Sequence, residues 1–214
     1  MSTATTPLTR PSTKRNLGKH LLWYALGLAG ISVLIYTDYP LVFHPDPGDH
    51  YRAKLIRDFL LLIPHAVGGV LATVLGPFQF STRFRQRHLS LHRLMGKVYI
   101  ISVCVAAPMV IFLGRGFQFP LTFMGDLQAS LWLICTLLAF ITARNRQIAI
   151  HRQWMIRSYA FTLNFILSRL LNPIPAYFNM SDTGLALILA LLTAAYFLIP
   201  EIAFNWRELT HRRA

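Results

Sequence analysis

Apolar runs without Asp, Glu, Lys or Arg recur along the chain, and short polar segments separate them. Five such runs are Leu21–Thr37, Phe59–Thr82, Val98–Gly114, Leu127–Ala143 and Thr183–Pro200. A sixth run, Ser158–Leu171, is interrupted by Arg169 and can be extended backward through Trp154. An α-helix needs about 20 apolar residues to cross a bilayer, with a range of about 17–25. The pattern therefore predicts an all-α, polytopic integral membrane bundle of six transmembrane helices.

The composition agrees with a membrane protein. Hydrophobic residues make up 54% of the chain and charged residues 14%, and the mean hydropathy is +0.46, whereas a soluble domain carries about 25% charged residues. The net charge of +13 would suggest a nucleic-acid partner in a soluble protein. Here the basic residues lie between apolar runs, as in loops that orient membrane helices. We therefore expect the lipid bilayer as a partner, and no nucleic acid.

Alternate loops hold most of the basic residues, and this predicts the orientation. We expect a polar, disordered tail over residues 1–20, a transmembrane domain over 21–206 and a basic tail over 207–214. Most of the 21 Lys and Arg residues lie in these tails and in the second and fourth loops. Because basic loops stay on the cytoplasmic side, both termini are predicted to be cytoplasmic.

Two stretches, HRLMGKVY at 92–99 and HRQWMIRSY at 151–159, begin with His-Arg and reach a tyrosine seven or eight residues later. Both fall on the predicted cytoplasmic side, at the start of a helix that runs outward. Each also follows a helix that runs inward, so the chain could contain two repeated hairpins, a common feature of membrane folds.

Arg93, Arg152 and Arg157 at this inner surface are expected to contact anionic phospholipid. Tyr99 and Tyr159 are expected to lie in the interfacial aromatic belt beside them.

His88 and His92, spaced i, i+4, would share one face of a helix and resemble a metal-ligand pair. His151 could be a third ligand. However, no nearby Cys, Asp or Glu completes a site, and the neighbouring cations would repel a metal ion. No metal site is predicted.

His65 is ionisable and lies inside an apolar run, where such groups are costly and often functional. Asn164 is expected at a similar depth, with Arg169 about one and a half turns above it. The three could line one outward-facing polar pocket. Alternatively, His65 forms a hydrogen bond across a helix interface, and Arg169 extends to the outer surface.

A b-type haem is the most specific cofactor hypothesis, because haem in helical bundles is held by axial histidines from facing helices. His92 and His151 stand at one depth and could hold a haem between them. His65 lies deeper and could hold only a five-coordinate haem. The sequence does not identify the cofactor, and the usual two-haem arrangement with four histidines is not met.

The chain resembles a known family in five segments: PHAVGGVLATVLGPFQF at 64–80, LHRLMGKVY at 91–99, LWLICTLLAFITAR at 131–144, HRQWMIRSYAFTLNFILSRL at 151–170 and PEIAFNW at 200–206. The family is the bacterial membrane proteins grouped as domain of unknown function 2306. The resemblance implies a multi-pass protein of the bacterial inner membrane whose activity is not established. Its motif positions include His65, His92, His151, Arg157 and Arg169, but not His88.

Three functions remain open from the sequence. The first is binding of a cofactor, haem or quinone, or of another small molecule through His65, His92 and His151. The second is transport of an ion or small molecule through a site of His65, Asn164 and Arg169, which a homo-oligomer could complete. The third is a structural or lipid-interacting protein without catalysis. Whether the protein is an enzyme is not determined by the sequence.

Overall fold

The computed structural model describes residues 28, 32, 57–115, 119–171 and 174–210. The predicted N-terminal tail and nearly all of the first predicted span, Leu21–Thr37, lie outside the described residues. From residue 57 onward the described residues form seven helices: α1 (Phe59–Phe80), α2 (Thr82–Arg87), α3 (Leu89–Leu113), α4 (Leu121–Arg144), α5 (Ile148–Leu171), α6 (Pro175–Phe178) and α7 (Asp182–Thr210). Helix α7 thus continues into the segment predicted as a basic tail.

Four of the long helices form a closed bundle. Helix α1 packs on α3, α3 on α4, α4 on α5, and α5 on α1, while α7 packs outside on α4 and α5. Short connections make successive helices antiparallel, so α3 and α5 run in the same direction across a diagonal of the bundle. The two hairpins suggested by the sequence, α1–α3 and α4–α5, are the two halves of this bundle.

Small residues on α1 allow its close packing. A Cβ atom at Gly68 would lie 2.7 Å from the carbonyl oxygen of Ser102 on α3, and one at Gly76 would overlap the Tyr159 ring on α5. Small residues bring helix backbones together in membrane bundles, where van der Waals packing drives association. The sequence did not establish that α1 and α5 touch, and the approach of the Tyr159 ring to Gly76 shows that they do.

Four helical segments are long and apolar enough to cross a membrane: α1, α3, α4 and Asp182–Trp206 of α7. Their outer faces expose large apolar side chains, such as Leu60, Leu191 and Ile199. The interior holds small apolar side chains together with buried polar ones, such as Thr136 and Thr162. An all-helical membrane protein is therefore confirmed, with four candidate spans in the described part of the chain.

Helix α5 was predicted to span the membrane but is not among these four segments. Its sequence is less apolar because it carries three arginines and several hydroxyl residues. Ser158 and Thr162 are almost completely buried, so neighbouring helices shield much of its polar surface.

The helices extend beyond the apolar runs that predicted them. The apolar run Val98–Gly114 marks only the later part of α3, and α5 begins six residues before Trp154. Both His-Arg stretches therefore lie in the first turns of helices. Polar residues at these positions are compatible with a helix, but they carry no apolar signal by which its beginning could be predicted.

Candidate functional site at the histidine end of the bundle

His92 and His151 lie at the same end of the bundle, because they occupy the first turns of α3 and α5. We call this end, where α1 and α4 finish, the histidine end. The His92 ring lies within electrostatic range of His151, and also of Arg85 and Arg93. The structure thus brings together two of the three histidines proposed from the sequence to bind a cofactor.

The ring of His151 has a defined tautomer. Its Nδ1 atom lies 2.7 Å from the carbonyl oxygen of Ala139 on α4. A carbonyl oxygen only accepts hydrogen bonds, so Nδ1 carries the proton and donates it. In the neutral ring, Nε2 then carries the lone pair and acts as an acceptor.

His92 and Gln79 present buried polar atoms without partners. Neither Nδ1 of His92 nor Nε2 of Gln79 has a hydrogen-bond partner among the described residues, and Gln79 is only 9% exposed. A Cβ atom at Gly96 would lie 3.3 Å from Oε1 of Gln79. Gly96 lies one helical turn beyond His92 on the same face, so the amide lies about one helical turn along α3 from the histidine.

Unpaired buried polar atoms are costly, at about 1–3 kcal/mol each, and each one calls for an explanation. Thr73 Oγ1, closer to the middle of α1, is a third such atom. The remaining polar side chains of the core described below are hydrogen-bonded. Two of these three unpaired atoms, those of Gln79 and His92, lie at the histidine end and make it a candidate binding site.

Acidic groups are scarce around this site. The described residues contain no group of three His, Cys, Asp or Glu residues that could hold a metal ion. His88 is the exposed residue between α2 and α3, and its ring contacts Phe84. His88 therefore precedes α3, the helix that carries His92. The two rings do not lie on one face of a shared helix, as their i, i+4 spacing had predicted.

His65 lies far from the histidine end. It precedes Gln79 by 14 residues on α1, which corresponds to a rise of roughly 21 Å. Its Nδ1 lies 3.0 Å from the carbonyl oxygen of Ala106 on α3, and its ring contacts Phe165 edge-on. The cross-helix hydrogen bond considered from the sequence is present, and His65 does not join His92 and His151.

Asn164 and His65 are not brought into one pocket. Asn164 donates to Oε1 of Gln128 at 3.1 Å and accepts from Tyr196 at 3.0 Å, on the side of α5 that faces α4 and α7. The next residue, Phe165, faces α1 and His65. Adjacent residues point in different directions on a helix, so similar depth did not produce contact. The side chain of Arg169 lies outside the described part of the chain.

Gln128 completes a hydrogen-bonded amide cluster with Asn164, Thr193 and Tyr196. Its Nε2 atom donates to Thr193 Oγ1 at 2.8 Å and to the carbonyl oxygen of Leu189 at 3.0 Å. Both amide groups are thus occupied by protein partners. The cluster attaches α7 to α4 and α5.

A hydroxyl cluster, comprising Tyr99, Trp132, Thr136, Ser158 and Thr162, joins α3, α4 and α5. Tyr99 Oη lies 2.8 Å from Ser158 Oγ and 2.9 Å from Thr162 Oγ1. Thr136 lies 2.7 Å from Ser158, and the Trp132 indole donates to Thr162. The chain of hydroxyls ends at the backbone carbonyls of Trp132 and Ser158. Each member has a partner, so the cluster fastens helices together.

Three residues expected to contact lipid are buried instead. Tyr99 is inaccessible and Tyr159 is 6% exposed, with its hydroxyl donating to the carbonyl oxygen of Thr73. A residue seven or eight positions after a histidine shares its helical face, two turns deeper, so both tyrosines point into the core. The predicted place of these tyrosines in the interfacial belt is wrong.

Arg157 is also buried, and it forms an ion pair with Glu201 of α7. Its guanidinium also stacks on Trp154 and Phe204. Arg157 is therefore not an exposed cation, whereas Arg93 and Arg152 are exposed.

Gln79 and Gln128 were missed in the sequence, although a signal was present. Each is an uncharged polar residue within or beside an apolar run, in GPFQF and GDLQAS. Polar groups in hydrocarbon need partners. This need for partners marks both glutamines as important. Only the structure shows that the Gln128 amide is hydrogen-bonded while Nε2 of Gln79 is not.

The model of a protein family described as predicted membrane protein (DUF2306) matches residues 62–205. This match covers all five segments that carry the resemblance seen in the sequence, apart from Trp206 at the end of the last, and confirms it. No curated protein and no solved structure matches the chain.

Proposed function

We propose that this chain, which belongs to the DUF2306 family of predicted membrane proteins, binds a small apolar ligand of the quinone class at the histidine end. The observation that carries the proposal is the pair of buried atoms, Gln79 Nε2 and His92 Nδ1, that lack partners among the described residues. Gln79 Nε2 can only donate a hydrogen bond. It therefore calls for an oxygen acceptor, which a quinone carbonyl supplies.

The surroundings of the site also favour such a ligand. Gly96 has no side chain, and an added Cβ there would meet only Oε1 of Gln79 within 4 Å. Ligand sites are mostly apolar, with a few polar groups that fix the orientation of the ligand. A flat ring could lie against the Gly96 backbone while its oxygen accepts hydrogen bonds from Gln79 and His92.

Haem fits these groups less well, although one observation favours it. A metal-ligating histidine usually donates its other N–H to a carbonyl oxygen, as His151 does to Ala139. His92 lacks such a partner among the described residues, and an iron atom would leave the Gln79 amide unsatisfied. Haem is thus the second candidate, with His151 as its best-oriented ligand.

For the whole chain we propose that α5 also crosses the membrane and that the histidine end faces the cytoplasm. Exposed basic side chains cluster there, including Arg83, Arg87, Arg93 and Arg152. Short basic loops remain cytoplasmic, and these side chains would contact anionic phospholipid headgroups. This places the ligand near the cytoplasmic surface of the bacterial inner membrane.

The proposal is tested by titrating purified protein with decylubiquinone and following the quenching of tryptophan fluorescence. The Gln79→Leu and His92→Leu variants should each weaken binding about tenfold or more, because each removes a buried hydrogen bond to the ligand. The control is His88→Ala, which removes an exposed histidine four residues from His92 and should leave the affinity unchanged.

Two results would overturn the proposal. One is that the wild-type protein does not bind decylubiquinone; the other is that all three variants bind it as well as the wild type does. An absorption spectrum of the same preparation tests the second candidate. A Soret band that is lost in His151→Ala would establish haem instead.

A further inference from the structure

The Arg157–Glu201 ion pair between α5 and α7 does not use all the donors of its guanidinium. Arg157 is only 7% exposed, and Glu201 is its one hydrogen-bond partner among the described residues. The rings of Trp154 and Phe204 stack on the guanidinium, which leaves the N–H groups at its edge for hydrogen bonds. The described residues contain three fully enclosed polar atoms without a partner, and none belongs to Arg157. The unused donors are therefore accessible from outside the bundle.

Glu201 adds unused acceptors beside these donors. Its Oε2 atom accepts from Arg157, and its Oε1 atom accepts from Asn205 at 2.7 Å. A carboxylate can accept about four hydrogen bonds, and the side chain of Glu201 is 57% exposed. A ligand that carries one anionic and one cationic group could therefore pair with both residues of the ion pair at once.

The ion pair lies near one end of a candidate membrane span, close to the depth of lipid headgroups. The span covers Asp182–Trp206 of α7. Glu201 precedes the last residue of this span by roughly 7.5 Å of helical rise. Trp206 is exposed, and tryptophan is enriched where a membrane protein meets the interface between lipid and water. A headgroup in the adjoining leaflet can thus reach the ion pair.

A stripe of exposed leucines leads along α7 to the ion pair. Leu187, Leu191, Leu198 and Glu201 follow one another at spacings of four, seven and three residues, and all four are exposed. Such spacings keep residues on one side of a helix. From Leu191 to Glu201 the helix rises roughly 15 Å, which is half of the hydrocarbon core of about 30 Å. The stripe therefore suits the acyl chain of a lipid whose headgroup lies at Glu201.

We propose that the Arg157–Glu201 pair binds the headgroup of phosphatidylethanolamine, with the phosphate on Arg157 and the primary ammonium on Glu201. An ethylene link joins these two charges, so they can lie antiparallel to the ion pair and form charge-assisted hydrogen bonds with it. Phosphatidylcholine has no N–H group to donate to Glu201, and phosphatidylglycerol has no cation. The site is distinct from the histidine end and does not depend on the ligand proposed there.

The experiment titrates the delipidated, full-length protein with these three lipids, matched in their acyl chains, and counts bound lipid by native mass spectrometry. The dissociation constant of the first phosphatidylethanolamine should be about tenfold lower than that of either other lipid, because each of those lacks the charged donor for Glu201. This comparison needs no substitution, so it does not depend on whether a variant folds. Equal affinities, or tightest binding of phosphatidylglycerol, would overturn the proposal.

The Glu201→Gln variant assigns the preference to the ion pair. It keeps the size of the side chain and an acceptor for Arg157 but removes the negative charge, so phosphatidylethanolamine should bind only as tightly as phosphatidylcholine. The matched control is Asp182→Asn, which removes a carboxylate at the other end of α7 and should retain the preference. Retention of the preference in Glu201→Gln, or its loss in both variants, would contradict a site at this pair.

Soluble glycerophosphoethanolamine distinguishes a bound lipid from a bound free headgroup. It carries the same phosphate and ammonium but no acyl chains. At a concentration equal to that of the lipid it should leave the bound phosphatidylethanolamine in place, because it cannot bury apolar surface on the leucine stripe. Displacement of the lipid at equal concentration would show that the headgroup alone is the ligand and that the lipid assignment is wrong.

Discussion

At the scale of single residues, close contacts between side chains and glycines hold the core together, and the sequence predicts only some of these contacts. Gly76, for example, gave no sign in the sequence that a tyrosine ring would cover it. The spacing of seven residues between His92 and Tyr99 predicts that both lie on one face of the helix. The sequence does not show whether that face contacts lipid or protein, because this depends on how the other helices pack against it.

Gly76 provides a test of this packing. The Gly76→Ala substitution should destabilise the protein by about 1–3 kcal/mol through overpacking, because its Cβ would overlap the Tyr159 ring. The measurement is thermal or denaturant unfolding in detergent.

The control is Gly125→Ala, which also replaces a helical glycine but has no atom within 4 Å of the added Cβ. It should be neutral or stabilising by about 0.5–1 kcal/mol, because alanine favours the helix. Equal effects of the two substitutions would contradict the packing described for Gly76.

Gln79 allows stability and function to be separated. In the absence of ligand its Nε2 is buried and unpaired, so Gln79→Leu should leave the unfolding midpoint equal to or higher than that of the wild type. The same variant should lose ligand binding. A clear loss of stability would show that the amide has a structural partner, and would argue against a binding role.

At the scale of helices, the apolar runs predicted which segments are helical but not where all of them begin. The predicted run Phe59–Thr82 agrees closely with α1, because apolar residues fill this helix from its beginning to its end. By contrast, α3 and α5 begin in polar sequence, where periodicity in hydrophobic residues is lost. The partners of α5 could not be predicted, because they depend on which face of each helix turns inward.

The attachment of α7 can be tested through the Arg157–Glu201 ion pair. The pair joins a buried guanidinium to a carboxylate whose side chain is 57% exposed, so solvent screening limits its energy. A double-mutant cycle with Arg157→Leu and Glu201→Ala should give a coupling free energy of about 1 kcal/mol in unfolding experiments. A coupling energy of zero would contradict the ion pair.

At the scale of the whole molecule, the bundle places apolar side chains outside and hydrogen-bonded polar clusters inside. The sequence predicted the membrane environment, because composition and long uncharged runs are sufficient for that. It did not reveal the hydroxyl and amide clusters, because residues such as Tyr99 and Ser158, which are 59 positions apart, meet only in the folded chain. The site likewise combines α1, α3, α4 and α5, and no single segment contains it.

The proposed topology predicts opposite labelling of two loops. In a Cys104→Ala, Cys135→Ala background, single cysteines placed at Arg146, between α4 and α5, and at Met180, between α6 and α7, should react with an impermeant maleimide from opposite sides of the membrane. Right-side-out and inverted vesicles distinguish the sides. Labelling of both positions from the same side would show that α5 does not cross.

The central claim is that a ligand binds at the histidine end, and photo-cross-linking tests its location most directly. A quinone carrying a photoreactive azide would be irradiated with the purified protein, and the modified peptides would be identified by mass spectrometry. The account predicts modification within residues 73–96 and 148–159, prevented by excess decylubiquinone. Modification confined to residues 119–130 and 174–189 at the opposite end, or modification that excess decylubiquinone does not prevent, would contradict it.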